Sequence, residues 1–135
     1  MTIFIDASIF CAYANTNDVH HKKAKEILKR YIIERQEQAI TSEYIFDETV
    51  TVALRKANKN LANEIGQHLL NSEYKIAKVD QICFEEAWKL FQEEKNNFSF
   101  TDCTCIILMR KLGIKQIATF DKEFKKIKEI QVIDI

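Results

Sequence analysis

Thr2-Ile3-Phe4-Ile5-Asp6-Ala7-Ser8 decides how this chain is read. A short run of β-branched and aromatic residues stops at a carboxylate, and a small residue and a hydroxyl follow. So apolar a run, this near the N-terminus, reads as a buried strand at the centre of a parallel sheet. In an open α/β sheet, ligands bind beyond the carboxyl ends of the strands, where strand order reverses. Asp6 falls at such an end. The functional question is whether other carboxylates return to the same place.

Working outward, residues 7–14 suit a short packed helix, and Asn15-Thr16-Asn17-Asp18 is a loop. Over 19–38, Ala24, Ile27, Leu28, Tyr31 and Ile32 keep helical spacing, with Lys22, Lys23, Lys25, Lys29 and Arg30 on the other face. A short strand at 38–41 leads to Ser42, an N-cap for a helix over 43–57 that is apolar nearly all round. A helix over 60–70 and a strand at 75–79 follow. Asp80 caps an amphipathic helix carrying Ile82, Ala87, Leu90 and Phe91 that runs to about 96. A strongly apolar helix over 101–112 is closed by Gly113 as a left-handed cap, and strands are expected at 114–119 and 130–133. Strands alternating with helices imply a parallel sheet covered on both faces, a three-layer α/β fold.

Composition narrows the classes. The 135 residues make one domain, 1–135, with no proline, repeat or composition shift to mark a linker. Twenty basic and twenty acidic residues cancel, so net charge argues neither for nor against nucleic acid. Asp6 interrupts the first apolar run and no basic stretch precedes it, so a signal peptide is not expected, and no segment is long enough to cross a membrane. Cys11, Cys83, Cys103 and Cys105 lack paired spacing, which suits reduced thiols in a cytoplasmic protein.

Four carboxylates carry the functional reading, each with a plainer alternative. Asp6 is either a site residue or a cap on the next helix. Glu48, in Phe46-Asp47-Glu48-Thr49-Val50, is either functional or paired with a base such as Arg55. Asp102, in Ser99-Phe100-Thr101-Asp102, fits a capping box. Asp121, following Thr119-Phe120, could cap a turn of helix. Strand ends and helix N-termini gather at one edge of such a sheet, and that geometry raises all four together. Converging carboxylates repel unless a cation offsets them, and an all-oxygen set suits Mg²⁺ or Mn²⁺. With only Gly66 and Gly113 in the chain, a glycine-rich phosphate loop is excluded.

In order and spacing, Phe4-Ile5-Asp6-Ala7-Ser8, Phe46-Asp47-Glu48-Thr49-Val50, Ser99-Phe100-Thr101-Asp102-Cys103 and Ala118-Thr119-Phe120-Asp121-Lys122-Glu123-Phe124 resemble the motifs of PIN-domain proteins, in particular the VapC-like toxin ribonucleases. The resemblance implies sheet order 3-2-1-4-5 and an endoribonuclease leaving 5′-phosphate and 3′-hydroxyl ends. By it, Asp6 and Asp102 hold Mg²⁺ or Mn²⁺, Glu48 and Asp121 complete the acidic pocket, and Ser8 and Thr119 orient carboxylates or waters. It also implies a homodimer and a cognate antitoxin, the chain being the toxin of a type II pair. RNA phosphates would track Lys22, Lys23, Lys122, Lys125 and Lys126, with Tyr13, Phe98 or Phe100 stacking on an unpaired base. The rival readings are a housekeeping RNA-processing nuclease, a phosphatase or receiver phosphorylated on Asp6, and a silent RNA-binding module.

Overall fold

A computed structural model describes residues 1–133; residues 134–135, part of the expected domain, lie outside the described residues. In chain order the elements are β1 (Thr2–Ile5), α1 (Ala7–Ala14), α2 (His21–Leu28), β2 (Gln38–Ser42), α3 (Glu43–Lys56) and α4 (Lys59–Asn71), then β3 (Lys75–Ala77), α5 (Gln81–Glu93), α6 (Phe100–Leu112), β4 (Gln116–Ala118) and β5 (Gln131–Val132). Among the described residues the strands form one five-stranded sheet in the order β3-β2-β1-β4-β5, every neighbouring pair parallel. β1 is central, as its composition required, and Ile3, Phe4 and Ile5 are buried. Right-handed crossovers put α1 to α4 on one face and α5 with α6 on the other. The packing agrees: α3 lies against α4 and α1, and α5 against α6.

Between β1 and β4 the chain changes direction across the sheet, which makes this the switch point. In register Phe4 pairs Ile117 and Ile5 pairs Ala118, and the Asp6 N–H extends the ladder to the Ala118 carbonyl at 3.0 Å. On the other side of β1, the buried Thr41 hydroxyl donates to the Ile5 carbonyl at 2.9 Å. The end of β1 is therefore held from both neighbours. Ser42 then caps α3, its Oγ accepting from Ile45 N at 3.1 Å.

Several expected boundaries move. The single helix over 19–38 starts only at His21, because Asp18 organises a turn: its Oδ1 accepts from His20 N and its carbonyl from His21 N. After Leu28 the coil widens into a π-helix, Lys29–Glu34, in which Arg35 N reaches back five residues to Arg30 O. Tyr31 and Ile32 still pack on the core through this stretch, so periodicity gave no warning of it. α5 ends at Glu93, not near 96, since Glu94 is extended and its Oε1 accepts from Asn96 N and Nδ2. The expected apolar face of α5 is corrected too. Cys83 and Ala87 are buried, while Ile82, Phe84, Trp88 and Phe91 remain exposed.

β4 starts two residues later than expected because Ile114 belongs to the exit of α6. Gly113 is left-handed at φ 68°, Ile114 N bonds Met109 O at 2.9 Å, and Gly113 N bonds Arg110 O. That is a Schellman ending, which needs positive φ at one residue. Nothing lies within 4 Å of where a Gly113 side chain would begin, so its requirement is conformational and not steric. Gly113→Ala should lower stability by about 1 kcal/mol from the left-handed penalty. Gly113→Asn, which tolerates that region, should lose less. Urea midpoints of the three proteins test this, and equal losses in both variants would refute it.

Candidate active site

The carboxyl edge of the sheet collects the four acids. Asp6 follows β1, Asp121 follows β4 by three residues, Asp102 sits in the first turn of α6, and Glu48 projects from α3. Their fields meet. The Asp6 carboxyl is raised first by burial and also by Asp121, and Asp102 is pushed up to about 6 by burial, with Asp6 and Asp121 adding to it. Glu48 is pushed up to about 7 by partial burial of its carboxyl, then by Asp6, Asp102 and the neighbouring Asp47. None of the ion pairs found among the described residues involves these carboxylates, so the alternative pairing of Glu48 with Arg55 is not formed.

Asp6 is only 5% exposed, and its neighbours explain how it is tolerated. The Thr119 hydroxyl donates to Asp6 Oδ2 at 2.7 Å, and the Ser8 hydroxyl donates to the same oxygen at 3.0 Å. Each hydroxyl has one proton, given to Asp6, and each accepts from the backbone of the β4 exit. Asp121 N donates to Thr119 Oγ1 and Phe120 N to Ser8 Oγ, both at 3.0 Å. Although Asp6 stands at the N-cap of α1, its side chain makes no capping bond there. The cap reading of Asp6 therefore fails.

Asp102 and Asp121 are different. Ser99 N donates to Asp102 Oδ2 while Asp102 N donates to Ser99 Oγ, both at 3.0 Å, a complete capping box. Asp121 Oδ1 accepts from Glu123 N at 2.9 Å and caps the 3₁₀ turn Lys122–Lys126. In both residues a structural bond and a place in the acidic network coexist, and the second carboxylate oxygen is the one left for other work.

Among the described residues, no three His, Cys, Asp or Glu side chains are gathered tightly enough to be a ready-made metal cage. The donors nevertheless fit a hard divalent ion in kind. They are all carboxylate oxygens, mutually repelling and without a base. Mg²⁺ usually keeps several waters and takes one or two carboxylates. The thiols do not compete as nucleophiles. Cys11 is pushed up to about 12 by burial and then by Glu48 and Asp6, and the wholly buried Cys105 is raised well above the ordinary thiol value. Both stay protonated near neutral pH. Nothing in their sequence spacing had placed them beside the acids.

The five lysines singled out above separate in space. Lys23, Lys122 and Lys125 line a groove of about 310 Å³ together with Thr119, Phe120 and Asp121. Lys22 instead faces a larger cavity of about 1270 Å³ away from the acids, between α2, the π-helix and the end of α4. Lys126 is bonded to both carboxylate oxygens of Glu123. Of the aromatics, Tyr13 lines the larger cavity, Phe98 is buried against Phe124, and Phe100 packs among Phe84, Trp88 and Phe91. A stacked pair in the smaller groove, His20 on Phe120, had no sequence signal beyond its residue types.

Residues 3–130 match the PIN domain, and the chain belongs to that family. Among characterised proteins it is similar to the 23S rRNA-specific endonuclease VapC20 of Mycobacterium tuberculosis, 29% identical over 123 residues that span 90% of this chain and 91% of the relative. The crystal structure of that VapC20, described as a sarcin–ricin loop cleaving toxin, matches with a TM-score of 0.82 at 26% identity, covering 93% of this chain and 95% of the other. VapBC2 from Rickettsia felis, bound to a DNA fragment from its promoter, matches with a TM-score of 0.69 over 98% of both chains. At 12% identity that likeness is one of fold alone.

The raised carboxyls set a pH dependence for the metal-free protein. Unfolded carboxylates titrate near ~4, so between there and the folded values the native state binds more protons than the unfolded chain. The stability these groups contribute is complete below the unfolded value. It is lost as pH rises through about 6 for Asp102 and about 7 for Glu48. In EDTA the melting temperature should fall across that interval, and Glu48→Gln should flatten the fall. A melting temperature that rises with pH there, alike in both proteins, would contradict the network.

Proposed function

We propose that this chain is a metal-dependent endoribonuclease, the toxin of a type II toxin–antitoxin pair, acting in the cytoplasm beside a cognate antitoxin and as a homodimer. The observation that carries the reading is the convergence of Asp6, Glu48, Asp102 and Asp121, none of which joins an ion pair found among the described residues. Membership of the PIN family and likeness to an endonuclease toxin support it. No helix among the described residues is long and apolar enough to cross a membrane.

Asp6 and Asp102 would hold Mg²⁺ or Mn²⁺, with Glu48 and Asp121 reaching it directly or through water. When bound, the ion would supply an activated water and offset charge developing on the phosphate. Ser8 and Thr119, both bonded to Oδ2, would keep the Asp6 carboxylate in one orientation for the ion. Glu48, with its affinity for a proton near neutrality, is suited to accept one from water at the phosphate. Asp121 holds the loop after β4 by capping it.

A hairpin carrying the sarcin–ricin loop is the first RNA to test, with unrelated hairpins beside it. Asp102→Asn should abolish Mn²⁺-dependent cleavage by orders of magnitude. Ser99→Ala, which breaks the same capping box while keeping the charge, should lose about 1 kcal/mol of stability and far less cleavage. Equal losses of cleavage in the two variants would make Asp102 a cap only. Independently of substrate, Mn²⁺ at a hundredfold excess over its Kd should stabilise the wild type by about 2.7 kcal/mol, and Asp6→Asn and Asp102→Asn much less. Thermal melts in EDTA and across a Mn²⁺ titration read this, and equal shifts in all three proteins would sink the site.

A further inference from the structure

Beside the acids lies a groove of opposite character. Its floor is Phe120, the residue between Thr119 and Asp121, and the His20 ring stacks on it with centroids 4.5 Å apart and planes 20° from parallel. Lys23 enters from α2, and Lys122 and Lys125 from the 3₁₀ turn that Asp121 caps. Both ring residues are held by their backbones. Asp18 Oδ1 accepts from His20 N at 2.8 Å, and Ser8 Oγ, which also binds Asp6, accepts from Phe120 N at 3.0 Å. His20 itself is exposed, so the outer face of its ring is open.

We propose that this groove is a nucleotide subsite: one unpaired base of the RNA stacks on the His20–Phe120 pair, and its flanking phosphates lie against Lys122 and Lys125. The proposal rests on the nuclease reading and extends it to how the strand is held. Three features support a single-stranded segment. A ring pair with an open face accepts any base by stacking, as single-strand binders do. Lys122 and Lys125 line the same groove as the two rings, so cations for the flanking phosphates lie beside the stacking face. A groove of about 310 Å³ is the size of a small-ligand site and admits a nucleotide, not a duplex. The Thr119-Phe120-Asp121 backbone joins it directly to the acids, so a base held on Phe120 brings the neighbouring phosphodiester to the pocket.

The test uses a fluorescein-labelled RNA hairpin with an unpaired loop, with binding followed by anisotropy in EDTA so that no cleavage intervenes. His20→Ala and Phe120→Leu should each weaken binding about tenfold and leave the salt dependence unchanged, as loss of stacking does. The double variant Lys122→Ala/Lys125→Ala should instead lower the slope of log Kd against log salt by about 1.4, two single-strand phosphate contacts. Single abasic substitutions through the loop should reveal one position whose loss weakens the wild type but not His20→Ala. Because His20 is exposed, its variant keeps the fold, which circular dichroism checks. Unchanged binding and slope in all variants would overturn the proposal, as would no measurable wild-type binding at low salt, the outcome expected if the groove serves an acidic peptide instead. Cleavage with Mn²⁺ is scored separately. A protein that binds through the rings yet never cuts refutes the nuclease reading and leaves the subsite standing.

Discussion

A carboxylate buried with hydroxyls for company and no base in reach is the constraint around which this structure is arranged. Asp6 is removed from water, yet its stabilising partners are two neutral donors and the partial positive charge where α1 begins. Those donors come from Thr119, across the sheet, and from Ser8, the second residue of the helix. Only parallel pairing of β1 with β4 brings them together. The same economy runs through the other acids. Asp102 and Asp121 each stand at the start of a helical turn, where the backbone N–H groups favour negative charge. Glu48, midway along α3, has no such help, and its carboxyl is driven higher than that of Asp102.

Opposite signs lie side by side at this edge. The groove beside the acidic pocket carries Lys122 and Lys125, so charges of both signs line neighbouring surfaces. Both regions are built on the few residues that follow β4. The hydroxyl of Thr119 faces one way toward Asp6, and the ring of Phe120 faces the other toward His20. Alternation along extended backbone is enough to serve two regions of opposite charge.

Much of this was legible in the chain itself. The strand ending at Asp6 announced the sheet, the strand–helix alternation its parallel sense, and motif order the strand sequence. Capping residues Ser42, Asp80, Ser99 and Gly113 marked helix ends because each acts through a local bond. What could not be read depends on tertiary contact or on a choice between two local states. The π-helical turn keeps the inward spacing of Tyr31 and Ile32, so hydrophobic periodicity is blind to it. On α5 the buried stripe turned out to be small, Cys83 and Ala87, because α6 packs close, and the larger Phe84, Trp88 and Phe91 were left outside. For Asp102 the capping box is formed, and it does not exclude a site role, since a carboxylate has two oxygens and the box uses one.

The capping box at Asp102 has a consequence for how such a protein can change under selection. Exchanging Glu48 for a neutral residue relieves repulsion and breaks no hydrogen bond found among the described residues, so the scaffold is kept. Exchanging Asp102 also removes one of the two capping-box bonds that start α6, the helix whose buried face from Cys103 to Met109 forms much of the core. Two acids of one pocket thus drift on different terms. At position 102 the acid serves the helix as well as the pocket, whereas at position 48 it serves no bond of the fold.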